Sequence, residues 1–183
     1  MHWAIEHLLV GRTDRQTISK YARGMDKYLG LLLTVSAALL GLAVSEPIVT
    51  TNALLGLDGT YSVLSGMVAL LEAGQGAAAV MTLAVTLLLP VFLLSTAFDL
   101  WYKHELADPK FLRKAKLLKQ LGNFWFIAVG SVLAAIYFIQ RAPDSFLHFA
   151  ILYLLVAVTL SKLVLLRLLP MINAVKFVND TGN

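Results

Sequence analysis

Residues 73–98 read AGQGAAAVMTLAVTLLLPVFLLSTAF, a run without one charged side chain. A helix rising about 1.5 Å per residue crosses a roughly 30 Å hydrocarbon core with about 20 such residues. This stretch therefore spans a bilayer. Three more charge-free apolar runs accompany it, at 28–45, 120–140 and 145–161. The first and last are a little shorter than a full span. The last continues apolar through 163–166, past Lys162, whose long stem lets its ammonium reach the headgroups. The chain is 58% hydrophobic with a mean hydropathy of +0.76. Soluble domains lie nearer roughly 45–50% apolar. The expected architecture is all-α: a polytopic four-helix membrane bundle.

Charge then orients it. Arg12, Arg15, Lys20, Arg23 and Lys27 precede the first span, and Lys103, Lys110, Arg113, Lys114, Lys116 and Lys119 lie between spans two and three. Residues 46–72 carry no Lys or Arg, only Glu46, Asp58 and Glu72. Between spans three and four Arg141 stands alone. Basic loops stay on the cytoplasmic side. Both termini and the middle loop are thus expected inside, and the other two loops outside. The net charge of +4 is a topology signal, not a nucleic-acid footprint.

Three segments follow: residues 1–27 as a cytoplasmic lead-in, 28–170 as the four-span domain, and 171–183 as a cytoplasmic tail. The N-terminus does not read as a signal peptide, since Glu6 and His7 interrupt its apolar run. Trp3, Ile5, Leu8, Leu9 and Val10 suit a helix lying on the membrane surface; a floppy tail is the plainer alternative. Thr13 or Asp14 is placed to cap a short helix through Met25.

Span one is expected to stop at Ser45-Glu46-Pro47, because proline ends helices. Ile48, Val49, Thr50 and Thr51, then Gly56 and Asp58-Gly59, predict two short strands about a turn in the outward loop. A helical turn or two then runs from Ser65-Gly66 to Glu72. Pro90 predicts a kink in span two. Asp99 and Lys103 form an i, i+4 pair near its end, beside Trp101 and Tyr102. Asp108-Pro109 starts a basic helix. Asp144 or Ser145 would cap span four, and Pro170 would follow its end.

An enzyme site is not apparent. There is no Cys, which excludes disulfides, thiolate metal sites and a Cys nucleophile together. The histidines, His2, His7, His104 and His148, lack a metal-ligand spacing, so no metal and no cofactor is expected. The deep parts of the spans hold no charge. Their polar groups are Thr34, Ser36, Thr82, Thr86, Asn123, Ser131, Thr159 and Ser161. A polar track through Thr86 and Thr159 is the functional reading of these hydroxyls. Bonding to their own backbone or to a neighbouring helix is the more ordinary one.

Two stretches carry a resemblance. YSVLSGMVALLEAG (61–74), with Ser65, Gly66, Glu72 and Gly74, precedes a span containing Leu88-Leu89-Pro90, and LKQLGNFW (118–125) leads span three through Gly122. In order and type, residues 24–170 resemble one four-span unit of the paraquat-inducible protein A family, bacterial inner-membrane proteins. The resemblance implies a non-enzymatic partner in envelope lipid trafficking. It would contact phospholipid and an MCE-type periplasmic protein, docking through the loop at 47–71. The chain departs from the family pattern in three ways. It has no Cys-rich zinc ribbon. It reads VFLL at 91–94, where the family places a Lys, and IAV at 127–129, where the family places an Asp. Work that couples through those charges is therefore not expected of it. A scaffold needs packing faces but no ion path, so a structural accessory subunit of a larger membrane complex is the alternative. The small residues at 74–79 and Gly122, Gly130, Ala134 and Ala135 offer such faces. An enzyme acting on lipid through Glu46 and Glu72 is the least favoured reading.

Overall fold

A computed structural model describes residues 16–180. Four helices in it are long and apolar enough to cross a membrane: Gly24–Ser45, Gly76–Lys103, Pro109–Arg141 and Ile151–Ala174. The chain is a helical, multi-pass membrane protein. Its outer surface agrees, since Phe92, Phe126, Phe138 and Phe149 are all more than half exposed. Aromatic side chains so placed belong against lipid.

The described residues form two compact units. One contains the chain through Val35, Phe92–Asn123 and the chain from Leu160; the other contains Ser36–Val91 and Phe124–Thr159. They are called here the basic unit and the hairpin unit.

The basic unit begins with two 3-10 turns, Ile18–Tyr21 and Gly24–Tyr28, leading into α1 (Leu29–Ser45). The expected single helix through Met25 is thus corrected. Ala22 and Arg23 are extended, and Gly24 has φ +58°, which breaks helical continuity. Thr13, Asp14, His2, His7 and the apolar residues from Trp3 to Val10 lie outside the described residues. Thr17 bridges to Glu105, and the Leu106 N–H donates to the Gln16 carbonyl at 3.1 Å.

The hairpin unit carries the small sheet. β1 (Val49–Leu54) and β2 (Leu57–Tyr61) pair antiparallel, with Val49 opposite Tyr61 and Thr51 opposite Gly59. Leu55 and Gly56, at φ +55° and +78°, make the two-residue turn. Positive φ at both central positions matches the natural twist of the strands. The expected strands are present, but Asp58-Gly59 belongs to β2 and not to the turn. α2 (Val63–Glu72) follows, longer than the expected turn or two.

Helix α3 (Gly76–Lys103) contains two widened π turns, Leu83–Leu88 and Asp99–Lys103. The first lies immediately before Pro90. The Leu89 N–H donates to the carbonyl of Ala84, five residues back. Pro90 has no N–H, and its ring crowds the carbonyl of the preceding turn. A π turn absorbs that conflict by shifting the hydrogen-bond register.

α4 (Pro109–Asn123) and α5 (Trp125–Arg141) are separated at Phe124. The start at Pro109 matches expectation, and the Asp108 carboxylate accepts from the Lys110 N–H at 2.8 Å. α4 buries Phe111, Ala115 and Leu118, one helical stripe, and exposes Lys110, Arg113, Lys116 and Lys119.

Span four is corrected at both ends. Residues expected to open it instead form β3 (Phe146–Leu147), which joins the free edge of β1 in the order β2-β1-β3. Asp144 has φ +53°, and the Ser145 hydroxyl donates to Thr51 Oγ1 at 3.1 Å, so neither caps a helix. α6 (Ile151–Asp180) begins after that strand and runs through Pro170. Pro170 is exposed, on the side away from the packed residues Leu165, Leu168 and Ile172. There the helix tolerates the ring.

Candidate functional site

In the hairpin unit, period-2 alternation turns one face of β2 inward. Leu57, Gly59 and Tyr61 are partly buried while Asp58 and Thr60 are exposed. On β1 the Thr51 side chain is buried and takes the Ser145 hydrogen bond. Beneath this face lies a cavity of about 410 Å³. The sheet contributes Val49, Thr51, Leu54, Leu57 and Tyr61; α2 contributes Gly66 and Leu70; α5 contributes Ala135, Phe138 and Ile139. Its lining is almost wholly hydrocarbon. Its size falls within the roughly 300–1,000 Å³ of small-molecule sites. Leu55 (52% exposed) and Phe138 (65% exposed) both line it and face out, so its mouth is apolar too. An apolar cavity does not hold water well, and an acyl chain suits it better than any polar substrate.

Local sequence explains how α2 comes to wall this cavity. Ser62 and Ser65 form a reciprocal cap: Ser62 Oγ accepts from the Ser65 N–H at 3.2 Å, and Ser65 Oγ accepts from the Ser62 N–H at 2.8 Å. Two orphan donors at the helix start are satisfied this way. Gly66 packs against Tyr61, where an added Cβ would meet the tyrosine Cβ at 3.5 Å. Glu72 is the last residue of the helix and is exposed. Gly74 has φ +76°, its N–H bonds the Leu71 carbonyl at 3.0 Å, and the Gln75 N–H bonds Leu70 at 2.8 Å. That is a glycine-dependent helix stop. Ser65, Gly66 and Gly74 thus have architectural work in the structure, and they place Leu70 in the cavity wall.

The hydroxyls of the suggested polar track bond their own helices. Thr86 Oγ1 donates to the Thr82 carbonyl at 2.6 Å, and Thr159 Oγ1 donates to Leu155 at 2.8 Å from an exposed position. Ser36 does cross between helices, donating to the Ala157 carbonyl at 2.8 Å, and Trp125 Nε1 donates to the Val158 carbonyl at 2.8 Å. These two bonds fasten α1 and α5 to α6 within the hairpin unit. His148 Nε2 lies 2.8 Å from Thr50 Oγ1, which in turn lies 2.7 Å from Thr60 Oγ1. This chain stitches the sheet on the face opposite Thr51.

In the basic unit, Asp99 pairs directly with Lys114 at 2.9 Å, while Lys103 of the expected i, i+4 pair acts on it electrostatically. His104 is 8% exposed, and its Nδ1 lies 3.2 Å from Asp108. The backbone N–H of Lys110 and the neighbouring His104 hold the Asp108 carboxyl below its ordinary value. Among the described residues, no three metal-ligating side chains converge.

The cavity itself was missed by the reading of the sequence. Its walls come from segments about 90 residues apart, and only the hairpin pattern at 48–61 hinted at one of them. Comparison with protein-family models, with curated proteins and with solved structures finds no match for this chain.

Proposed function

We propose that this chain is a non-enzymatic, phospholipid-binding protein of the bacterial inner membrane that works with an MCE-type periplasmic lipid carrier. The apolar cavity beneath the hairpin carries this reading. It has the volume and lining for an acyl chain. The resemblance of residues 61–74 and 118–125 to the paraquat-inducible protein A family supports the same reading, and it suggests the partner. The charge distribution supports an orientation with both termini in the cytoplasm and the hairpin outside, where a carrier would meet it.

A second reading, an accessory subunit of a larger complex, draws on the third span. Only 11% of its apolar window is buried, against 39% for the first and fourth. Gly130, Ala134 and Tyr137 of α5 are all exposed and offer a close-packing face.

One experiment separates the two. A tagged chain is extracted from native membranes in mild detergent, and copurifying proteins and lipids are identified by mass spectrometry. Retained phospholipid with an MCE-type protein supports lipid trafficking. A stoichiometric complex with unrelated membrane proteins, free of enriched phospholipid, would overturn it in favour of the subunit.

A further inference from the structure

A second cavity, of about 220 Å³, lies in the basic unit where α4 ends against α6. Lys119, Gly122 and Asn123 line it from one helix, and Lys162, Leu165, Leu166, Leu169 and Pro170 from the other. Its position has a cause in the sequence. At residue 124 a basic amphipathic helix gives way to an apolar one, the change expected where a chain passes from headgroups into hydrocarbon. Gly122 lets the helices approach, since an added Cβ there would meet Leu165 Cδ1 at 3.3 Å. Two lysines from different helices therefore share one small cavity beside this break. No acidic side chain is among the lining residues. Leu166, 56% exposed, continues the lining as an apolar flank.

We propose that this groove binds the phosphate headgroup of an anionic phospholipid, with Lys119 and Lys162 as the charged ligands and Leu166 and Leu169 along the first acyl methylenes. Basic pockets between membrane helices on the cytoplasmic side recognise anionic headgroups in this manner. Asn123 adds a neutral donor beside the ammoniums. The exposed cations of α4, Lys110, Arg113 and Lys116, raise the local concentration of such lipids and are distinct from the groove. The proposal shares its ligand class with the lipid-handling reading but uses a different cavity, so each can fail alone.

The test uses the full chain in mild detergent. Phosphatidylglycerol and phosphatidylcholine of the same acyl composition are offered together, and bound lipid is counted by native mass spectrometry. The wild type should retain phosphatidylglycerol about tenfold over phosphatidylcholine. Lys119→Gln with Lys162→Gln should bring that ratio close to one, and Lys119→Arg with Lys162→Arg should preserve it. Ala135→Phe, which fills the cavity beneath the hairpin, should lower total bound lipid without changing the ratio. Equal loss of preference in a Lys110→Gln/Lys116→Gln variant would overturn the proposal, because attraction would then be diffuse. Displacement of phosphatidylglycerol by millimolar inorganic phosphate would overturn it too, by showing an anion site with no lipid component. If the glutamine pair fails to fold, the arginine pair and the wild-type ratio decide the matter, and a wild-type ratio near one sinks the idea.

Discussion

The two units of this protein handle polarity in opposite ways. The hairpin unit turns many of its hydroxyls onto backbone or onto one another, as in Ser36 to Ala157 and Thr50 with Thr60 and His148, and leaves its cavity to hydrocarbon. The basic unit keeps its charges at the rim: Asp99 with Lys114, His104 with Asp108, and Lys119 and Lys162 lining one groove. On the proposed reading, the difference teaches where a membrane protein without deep charges could still recognise a lipid. Chain recognition needs only shape and dryness, whereas headgroup recognition needs ammoniums at the boundary, where their hydration is not lost.

Variants can break this contrast. The largest effect is expected from Ala135→Phe. Blocking the cavity to a few methylenes, at about 0.8 kcal/mol each, should weaken acyl-chain binding by about 2 kcal/mol, or roughly 30-fold. Competition with a photoreactive fatty-acyl probe checks it, and unchanged labelling would remove the cavity from the functional account. Next comes the groove, where the paired lysine substitutions should cost headgroup preference but leave that labelling intact.

Gly74→Val should act on the hairpin unit without touching the basic one. A β-branched residue at φ +76° should destabilise it by about 1–2 kcal/mol. Loss of α2 position should then loosen the cavity wall at Leu70. Thermal unfolding in detergent, with the acyl probe as a second readout, measures both consequences. Gly74→Asn should be milder, because asparagine tolerates that region.

The smallest effect concerns pH and the basic unit. The Asp108 carboxyl is more acidic in the fold than its ordinary 3.8, chiefly through the Lys110 N–H. A depressed carboxyl contributes stability that is complete above the unfolded value and is lost as pH falls through the folded one. The unfolding midpoint of wild type should therefore drop towards that of Asp108→Ala as pH is lowered below about 4. Parallel curves for the two proteins down to pH 3 would show that the carboxylate adds nothing.

Much of this architecture was legible residue by residue. The four spans, the stop at Pro47, the strands at 48–61 and the helix start at Pro109 all rest on local signals: hydropathy, a missing N–H, β-branching, a capping carboxylate. The misread places share one feature, a partner distant in the chain. Phe146 and Leu147 look like part of a helix start, yet the open edge of β1, roughly 95 positions earlier, draws them into a strand. Asp99 has Lys103 near it in sequence, yet its direct hydrogen bond goes to Lys114, 15 positions on.

Sequence alone thus determined that the chain is helical, apolar and multi-pass, because membrane-spanning capacity depends on the length and composition of contiguous segments. Tertiary structure decided which side chains meet: the third strand, the ion pair of Asp99, the dry cavity beneath the hairpin and the two-lysine groove. Such meetings depend on how separate helices and strands pack, and no periodicity within one segment encodes them.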